Sequence, residues 1–212
     1  CLYFADHLYR GNRVVKSYAS EFVAFSSPNF PAIGEYGVLP QLNNALLLPQ
    51  PKNETPGDWC VTAKANVALI SKNIHLTATI PFLVFPAFYD EKTGSSLLVS
   101  VLENMVNPAP PKAPIPPPPP VKGVVLESYG EGNVPSYKEM KDLLKTIHDN
   151  GSVIVDCTQV FRGDVNYNAY ATGAWLKNAG VISGFDMTAI AAIAKLIVLK
   201  AQYPADPLAA IE

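Results

Sequence analysis

The stretch Gly123–Val155 constrains the fold more than any other part of the chain, because it reads as strand, turn, helix and strand in that order. Val124–Leu126 is a short apolar run suited to a buried strand. Gly130-Glu131-Gly132-Asn133 follows as a tight turn. Ser136 is the expected helix N-cap, and Glu139 stands three residues on, as a capping box requires. Tyr137, Met140, Leu143, Leu144 and Ile147 then recur with the spacing of one helical stripe. Asn150-Gly151 stops that helix, and Val153–Val155 opens a second strand. A strand–helix–strand unit of this kind predicts two parallel strands joined by a right-handed crossover, the building block of a doubly wound α/β domain.

The bulk properties agree with a globular chain. Its 212 residues are 49% hydrophobic and 16% charged, enough to build a sizeable core. A net charge of −2 leaves no basic footprint for nucleic acid or an anionic membrane surface. Ile80–Tyr89 is apolar but broken by Pro81 and Pro86, and Ala189–Leu199 carries Lys195, so neither reads as a membrane span. Cys1, Cys60 and Cys157 are odd in number and too widely spaced for a metal pair. Cys157 falls in the second strand and reads as a buried free thiol, which favours a reducing, cytoplasmic setting. The sequons at Asn53 and Asn150 carry weight only in a secreted protein.

Elsewhere the chain is expected to run as follows. Leu2–Phe4 ends a buried strand, and Asp6–Lys16 forms a polar loop past its carboxyl end, where doubly wound domains place their chemistry. Ser26–Pro31 is a turn, since its prolines exclude helix. Residues 39–63, with four prolines, read as a linker. Alternation from Val67 to Ile80 suggests a hairpin, Pro81–Phe85 the first strand of the second domain, and Leu98, Val101, Leu102 and Met105 a helix. Nine prolines fall within residues 108–120, which dictates polyproline II or a bend-rich insertion; such a run is also the kind of ligand an SH3- or WW-type groove takes. Tyr170–Lys177 reads as a helix closed by Asn178 and Gly180, and Val181–Ser183 as a strand. Asp186 is the expected cap of a last, buried helix, Met187–Lys200.

The wording of the turns is more specific than their order. SYGEGNVP (Ser128–Pro135), DCTQVFRGDV (Asp156–Val165), YATG (Tyr170–Gly173) and GVISGFDMT (Gly180–Thr188) resemble the C-terminal domain of the L-asparaginase family, in its cytosolic type I branch. The resemblance resumes at Leu2–Lys16 and Ala24–Val38. It implies a three-layer α/β C-terminal domain with a parallel sheet, preceded by the tail end of a larger N-terminal α/β domain. The expected division is 1–38 for the end of the catalytic domain, 39–63 for the linker, and 64–212 for the C-terminal domain with its proline insertion at 108–120. It also implies L-asparagine as substrate, a homodimer or homotetramer, a cytoplasmic setting, and neither cofactor nor metal.

Residue by residue, Arg10-Gly11-Asn12-Arg13-Val14-Val15-Lys16 matches the family's RGNR-x-x-K pattern. By that resemblance Lys16 is the catalytic base of a threonine–lysine–aspartate triad. A lysine takes a hydroxyl proton only when burial or cationic neighbours lower its pKa, and Arg10 and Arg13 are such neighbours in sequence. The family's Gly-Gly-Thr and His-Gly-Thr-Asp-Thr turns do not occur in these residues, so the chain is expected to be the later part of a longer enzyme. Asn133 is the implied substrate-binding residue, reaching a ligand across a subunit interface; a turn asparagine in left-handed geometry is the plainer reading. Thr158 and Glu127 mark a candidate effector site. Some type I members carry an arginine and a cysteine where this chain has Glu127 and Val160, and a carboxylate there repels an effector carboxylate, so effector control is expected to be absent. Phe185 replaces the family's usual glycine, and it lacks glycine's freedom at positive φ.

Three functional readings remain open at this level: an L-asparaginase, inactive without its threonines; a non-enzymatic interaction or sensing module; and a related amidohydrolase, such as an amidotransferase subunit or a lysophospholipase-type relative. His7, His75 and His148 form no Ser–His–Asp or Cys–His pattern with a nucleophile.

Overall fold

The computed structural model describes residues 1–49, 77–81, 89–90, 95–107, 110, 122–167 and 171–202. The expected hairpin over Val67–Ile80 lies mostly outside these, as do the proline run (apart from Pro110), Cys60 and most of the expected linker.

The parallel unit is present as expected. Strand β10 (Gly123–Ser128) pairs in parallel with β11 (Val153–Thr158), in register from Gly123 opposite Val153 to Ser128 opposite Thr158. On its other side β10 pairs in parallel with β7 (Thr77–Pro81), and β11 with the short β12 (Ile182–Ser183), giving the order β12-β11-β10-β7. The strand described here is Thr77–Pro81; of the expected strand Pro81–Phe85, all but Pro81 lies outside the described residues.

Alternate residues of β10 and β11 feed two cores, one on each face. Val124, Leu126 and Ile154 pack with Met140, Leu143, Leu144 and Ile147 of α2 (Lys138–Asp149), with Leu102 of α1 (Leu97–Val106), and with Leu176 of α3 (Ala171–Asn178). Val125, Val153, Val155 and Cys157 pack with Ala192 and Leu196 of α4 (Ala189–Gln202). Helices thus cover both faces of the sheet, the three-layer arrangement expected. Among the described residues no helix is long and apolar enough to cross a membrane.

Two helix starts differ from expectation. Tyr137, not Ser136, occupies the N-cap of α2, with φ −67° and ψ 158° and no side-chain cap bond. The chain is still extended there, so the Ser136 hydroxyl lies one residue outside the helix. Thr188, not Asp186, caps α4: its Oγ1 accepts from the Ala191 N–H at 3.2 Å. Nor is α4 buried all round, since Ile190 and Val198 are exposed. The expected stop of α2 holds, with Asn150 as C-cap and Gly151 at φ 78°.

The N-terminal segment is antiparallel. β1 (Leu2–Phe4) and β2 (His7–Tyr9) form a hairpin that continues through β5 (Gly34–Tyr36) to β6 (Pro40–Leu42). Leu2–Phe4 is therefore partly exposed rather than the end of a buried strand, and Asp6–Lys16 is not all loop. The turn residues Ala5 and Asp6 sit at φ 46° and 62°, the positive values that a two-residue hairpin needs to match strand twist. Pro40–Leu42, expected as loop, takes edge-strand pairing, where the proline's missing N–H costs no ladder bond. A second ladder joins β3 (Val15–Lys16) to β4 (Phe25–Ser26), and a third joins β8 (Tyr89–Asp90) to β9 (Ser95–Ser96).

Candidate functional site

Doubly wound sheets gather their chemistry beyond the carboxyl ends of their strands. Here Glu127 lies near the end of β10 and Thr158 ends β11. They line a cavity of about 160 Å³ together with Arg13, Asn29, Asp186 and Thr188. The N-terminal segment thus closes one side of the cavity, and the turn before α4 closes another.

The decisive contact is between Arg13 and Asp186. Arg13 Nε donates to Asp186 Oδ2 at 2.6 Å, and its Nη2 lies 2.5 Å from Oδ1. This is the bidentate fork that a planar guanidinium makes with a carboxylate. The Arg13 side chain is 14% exposed. Arg10 is occupied elsewhere: it donates to the Leu46 carbonyl at 2.6 Å and its guanidinium stands 3.9 Å from the centre of the Phe30 ring.

Lys16 does not join this cavity. Val15 lines it, and successive strand residues face opposite sides, so Lys16 is turned away and exposed. The burial expected around its amine is therefore not provided by the described residues. Both arginines are held by other partners, and this tertiary pairing is what the sequence reading missed.

Asn133 closes the Gly130–Gly132 turn. Its N–H donates to the Tyr129 carbonyl at 2.8 Å, and its carbonyl accepts from the Tyr129 N–H at 2.9 Å. Gly132 has φ 102°, and a Cβ there would lie 2.8 Å from Val165 Cγ1 and 3.2 Å from Asp156 Oδ2. Only glycine fits both the angle and the space. Beside the turn, Thr158 Oγ1 donates to the Gly130 carbonyl at 2.5 Å and accepts from the Val160 N–H at 3.1 Å. The Thr158 hydroxyl is thus committed to holding two loops together.

The turn rests on Asp156, which the sequence reading did not single out. Its carboxyl is fully buried. Oδ2 accepts from the Tyr167 hydroxyl at 3.2 Å, while Oδ1 has no partner. Ser128 Oγ donates to the Cys157 carbonyl at 3.2 Å, so Tyr167 is the donor the carboxyl keeps. Burial pushes the carboxyl up to about 7, with the Tyr167 hydroxyl pulling the other way. Burial also pushes the Cys157 thiol up to about 12, so the buried free thiol expected there is an inert one. Phe185 keeps the positive φ of the turn despite its side chain, at 52°, and is 66% exposed. Among the described residues, no group of three or more His, Cys, Asp or Glu stands close enough to share a metal ion.

Two family models match the chain in order: "Asparaginase, N-terminal" over residues 1–47, and "Glutaminase/Asparaginase C-terminal domain" over residues 117–209. The chain belongs to the asparaginase family. It is 35% identical to L-asparaginase 1 of Escherichia coli K12, over 95% of this chain and 49% of that protein. It is 32% identical to the 60 kDa lysophospholipase of Mus musculus, over 92% of this chain and 29% of that protein. A solved L-asparaginase I from Vibrio cholerae superposes with a TM-score of 0.66 at 32% identity, covering 95% of this chain and 51% of that one. The chain therefore spans about half the length of these two asparaginases. Both matched segments meet at the cavity: Arg13 and Asn29 come from the asparaginase N-terminal match, and Thr158 and Asp186 from the C-terminal one.

Proposed function

We propose that these residues form the later half of an L-asparaginase that hydrolyses L-asparagine to L-aspartate and ammonia. The observation that carries the reading is the match of both asparaginase family models in order, with the RGNR-x-x-K segment docked against the C-terminal unit. The division of roles follows the resemblance. A threonine hydroxyl supplied by the rest of the enzyme attacks the side-chain amide carbon and passes its proton to the amine of Lys16. The tetrahedral intermediate expels ammonia, and water releases aspartate from the acyl-enzyme. Lys16 is exposed in this chain. Its surroundings as a base are therefore completed by the threonine-bearing segment and not by Arg10 or Arg13. Asn133 binds substrate from the edge of its turn, across a homodimer or homotetramer interface.

Residues 1–38 belong with the catalytic domain, 39–63 connect the domains, and 64–212 form the C-terminal domain, in a cytoplasmic enzyme. Glu127 stands with Thr158 in the cavity, where its carboxylate repels a carboxylate effector, so asparagine does not act there as an activator. A sigmoidal asparagine response abolished by changing Thr158 would overturn that assignment.

The test is ammonia release from asparagine and glutamine, with lysophospholipid hydrolysis measured beside them. The 212 residues alone are expected to be inactive on all three. The complete enzyme is expected to turn over asparagine and to lose at least about 10³-fold in kcat on Lys16→Ala, the scale of a lost general base. Near-normal turnover by that variant removes Lys16 from the mechanism. Preferred hydrolysis of lysophospholipid would favour the lysophospholipase-type alternative.

A further inference from the structure

The Arg13–Asp186 pair does more than occupy two charges. It joins residues 173 apart in sequence, and it stands three residues before Lys16. A second reciprocal contact lies close by. The Asn29 side-chain amide donates to the Gly163 carbonyl at 2.8 Å, and its Oδ1 accepts from the Gly163 N–H at 2.9 Å. The Thr188 N–H points to the Asn12 carbonyl at 3.5 Å. All three contacts are polar, and all three tie the N-terminal segment to the loops of the parallel unit.

That segment contributes no side chain to the two cores of the parallel unit, and Phe25 packs instead on Phe4 within the segment, ring centres 5.0 Å apart. β3 and β4 share only the pairs Val15–Ser26 and Lys16–Phe25. Beyond them the Ser17 and Tyr18 N–H groups both turn to the Ala24 carbonyl, at 2.8 and 3.2 Å. Ala24 is buried, but Tyr18, Phe22 and Val23 are exposed. A short ladder of this kind opens easily unless its ends are pinned.

The turn that carries Asp186 is shaped for the purpose. Thr188 takes over the capping of α4, which releases Asp186 from the helix. Phe185 holds a positive φ immediately before it, with its N–H on Ser183 Oγ at 3.0 Å. The carboxylate therefore projects from a braced turn at the carboxyl side of the sheet and meets the guanidinium squarely. A lysine in place of Arg13 would keep the charge but lose the two-point geometry.

We propose that Asp186 is a positioning residue: with Arg13 it clasps the Lys16-bearing ladder to the C-terminal unit and so sets where Lys16 stands during amide hydrolysis. The inference rests on the asparaginase reading of Lys16 for its functional half, while the clasp itself is structural and tested apart.

The test uses three variants: Asp186→Asn, Arg13→Lys and the reversed pair Arg13→Asp with Asp186→Arg. Amide hydrogen exchange on the chain is read at residues 15–18 and, as an internal reference, at 123–128 and 153–158. Both single variants are expected to speed exchange at 15–18 at least tenfold and to leave the parallel strands unchanged, with partial recovery in the reversed pair. Unchanged exchange at 15–18 in both singles, or equal acceleration in the parallel strands, overturns the clasp. In the complete enzyme, Asp186→Asn is expected to lower kcat at least tenfold with KM within threefold. An opened ladder with unchanged kcat overturns the positioning role. If instead Lys16→Ala keeps its turnover while Asp186→Asn opens the ladder, the clasp stands and it is the Lys16 reading that fails.

Discussion

The N-terminal antiparallel segment and the C-terminal parallel unit are held by different physics. The parallel unit buries β10 and β11 almost completely, and alternate side chains serve two cores. In residues 1–49 the buried apolar side chains are Tyr9, Ala24 and Ile33, while Tyr36, Val38, Leu39, Leu42 and Leu48 are exposed. What fixes that segment against its neighbour is a set of directed polar contacts. A core resists local damage through many weak contacts; a clasp depends on a few groups and their charge state. The contrast places Lys16, the proposed base, on the less self-sufficient of the two parts.

The comparison breaks most sharply at Asp156, the one buried charge-bearing group among the described residues. Its folded pKa of about 7 lies above the ordinary 3.8. Protonated, the group costs little, so its contribution is whole below about pH 4 and is lost as pH rises through 7. For a shift of this size the loss approaches about 4 kcal/mol. Asp156→Asn is expected to remove that slope, so that denaturant unfolding at pH 5 and pH 8 gives nearly equal stabilities. An unaltered slope in the variant would assign the pH dependence to other groups.

Next in size is a matched pair of truncations. Leu144→Ala, in a fully buried stripe of α2, is expected to cost about 3 kcal/mol in global unfolding. Ile33→Ala in the N-terminal sheet is expected to speed hydrogen exchange in residues 1–36 while changing global stability by about 1 kcal/mol or less, because that sheet opens locally. Equal global losses from both would show that the two regions unfold as one and would erase the distinction. The smallest effect concerns Phe185. Replacing an exposed non-glycine residue at φ 52° by glycine relieves backbone strain, and Phe185→Gly is expected to stabilise the chain by about 1 kcal/mol in thermal unfolding.

Much of the parallel unit was legible because its signals are local. The stripe Met140, Leu143, Leu144, Ile147 was read from helical spacing, and all four are buried. The adjacent strands were marked by apolar runs, and Asn150-Gly151 by its own backbone preference. Errors of one or two residues fell at helix starts, where Ser136 and Asp186 looked like caps but neighbouring residues did the work. The N-terminal segment was read less well. Leu2–Phe4 has the composition of a buried strand, yet its partner is the next few residues.

By itself the sequence determined the family, the parallel strand–helix–strand unit and the identity of the candidate residues, because turn wording and hydrophobic spacing are written within a few positions of one another. Only the tertiary structure decided which partners the charges take. Arg13 looked like a neighbour that would tune Lys16, and instead it spends its fork on Asp186; Asp156 looked like one letter of a strand, and it became a buried carboxyl under a glycine turn. Pairings across 173 residues depend on how whole elements dock, and no local pattern encodes that distance.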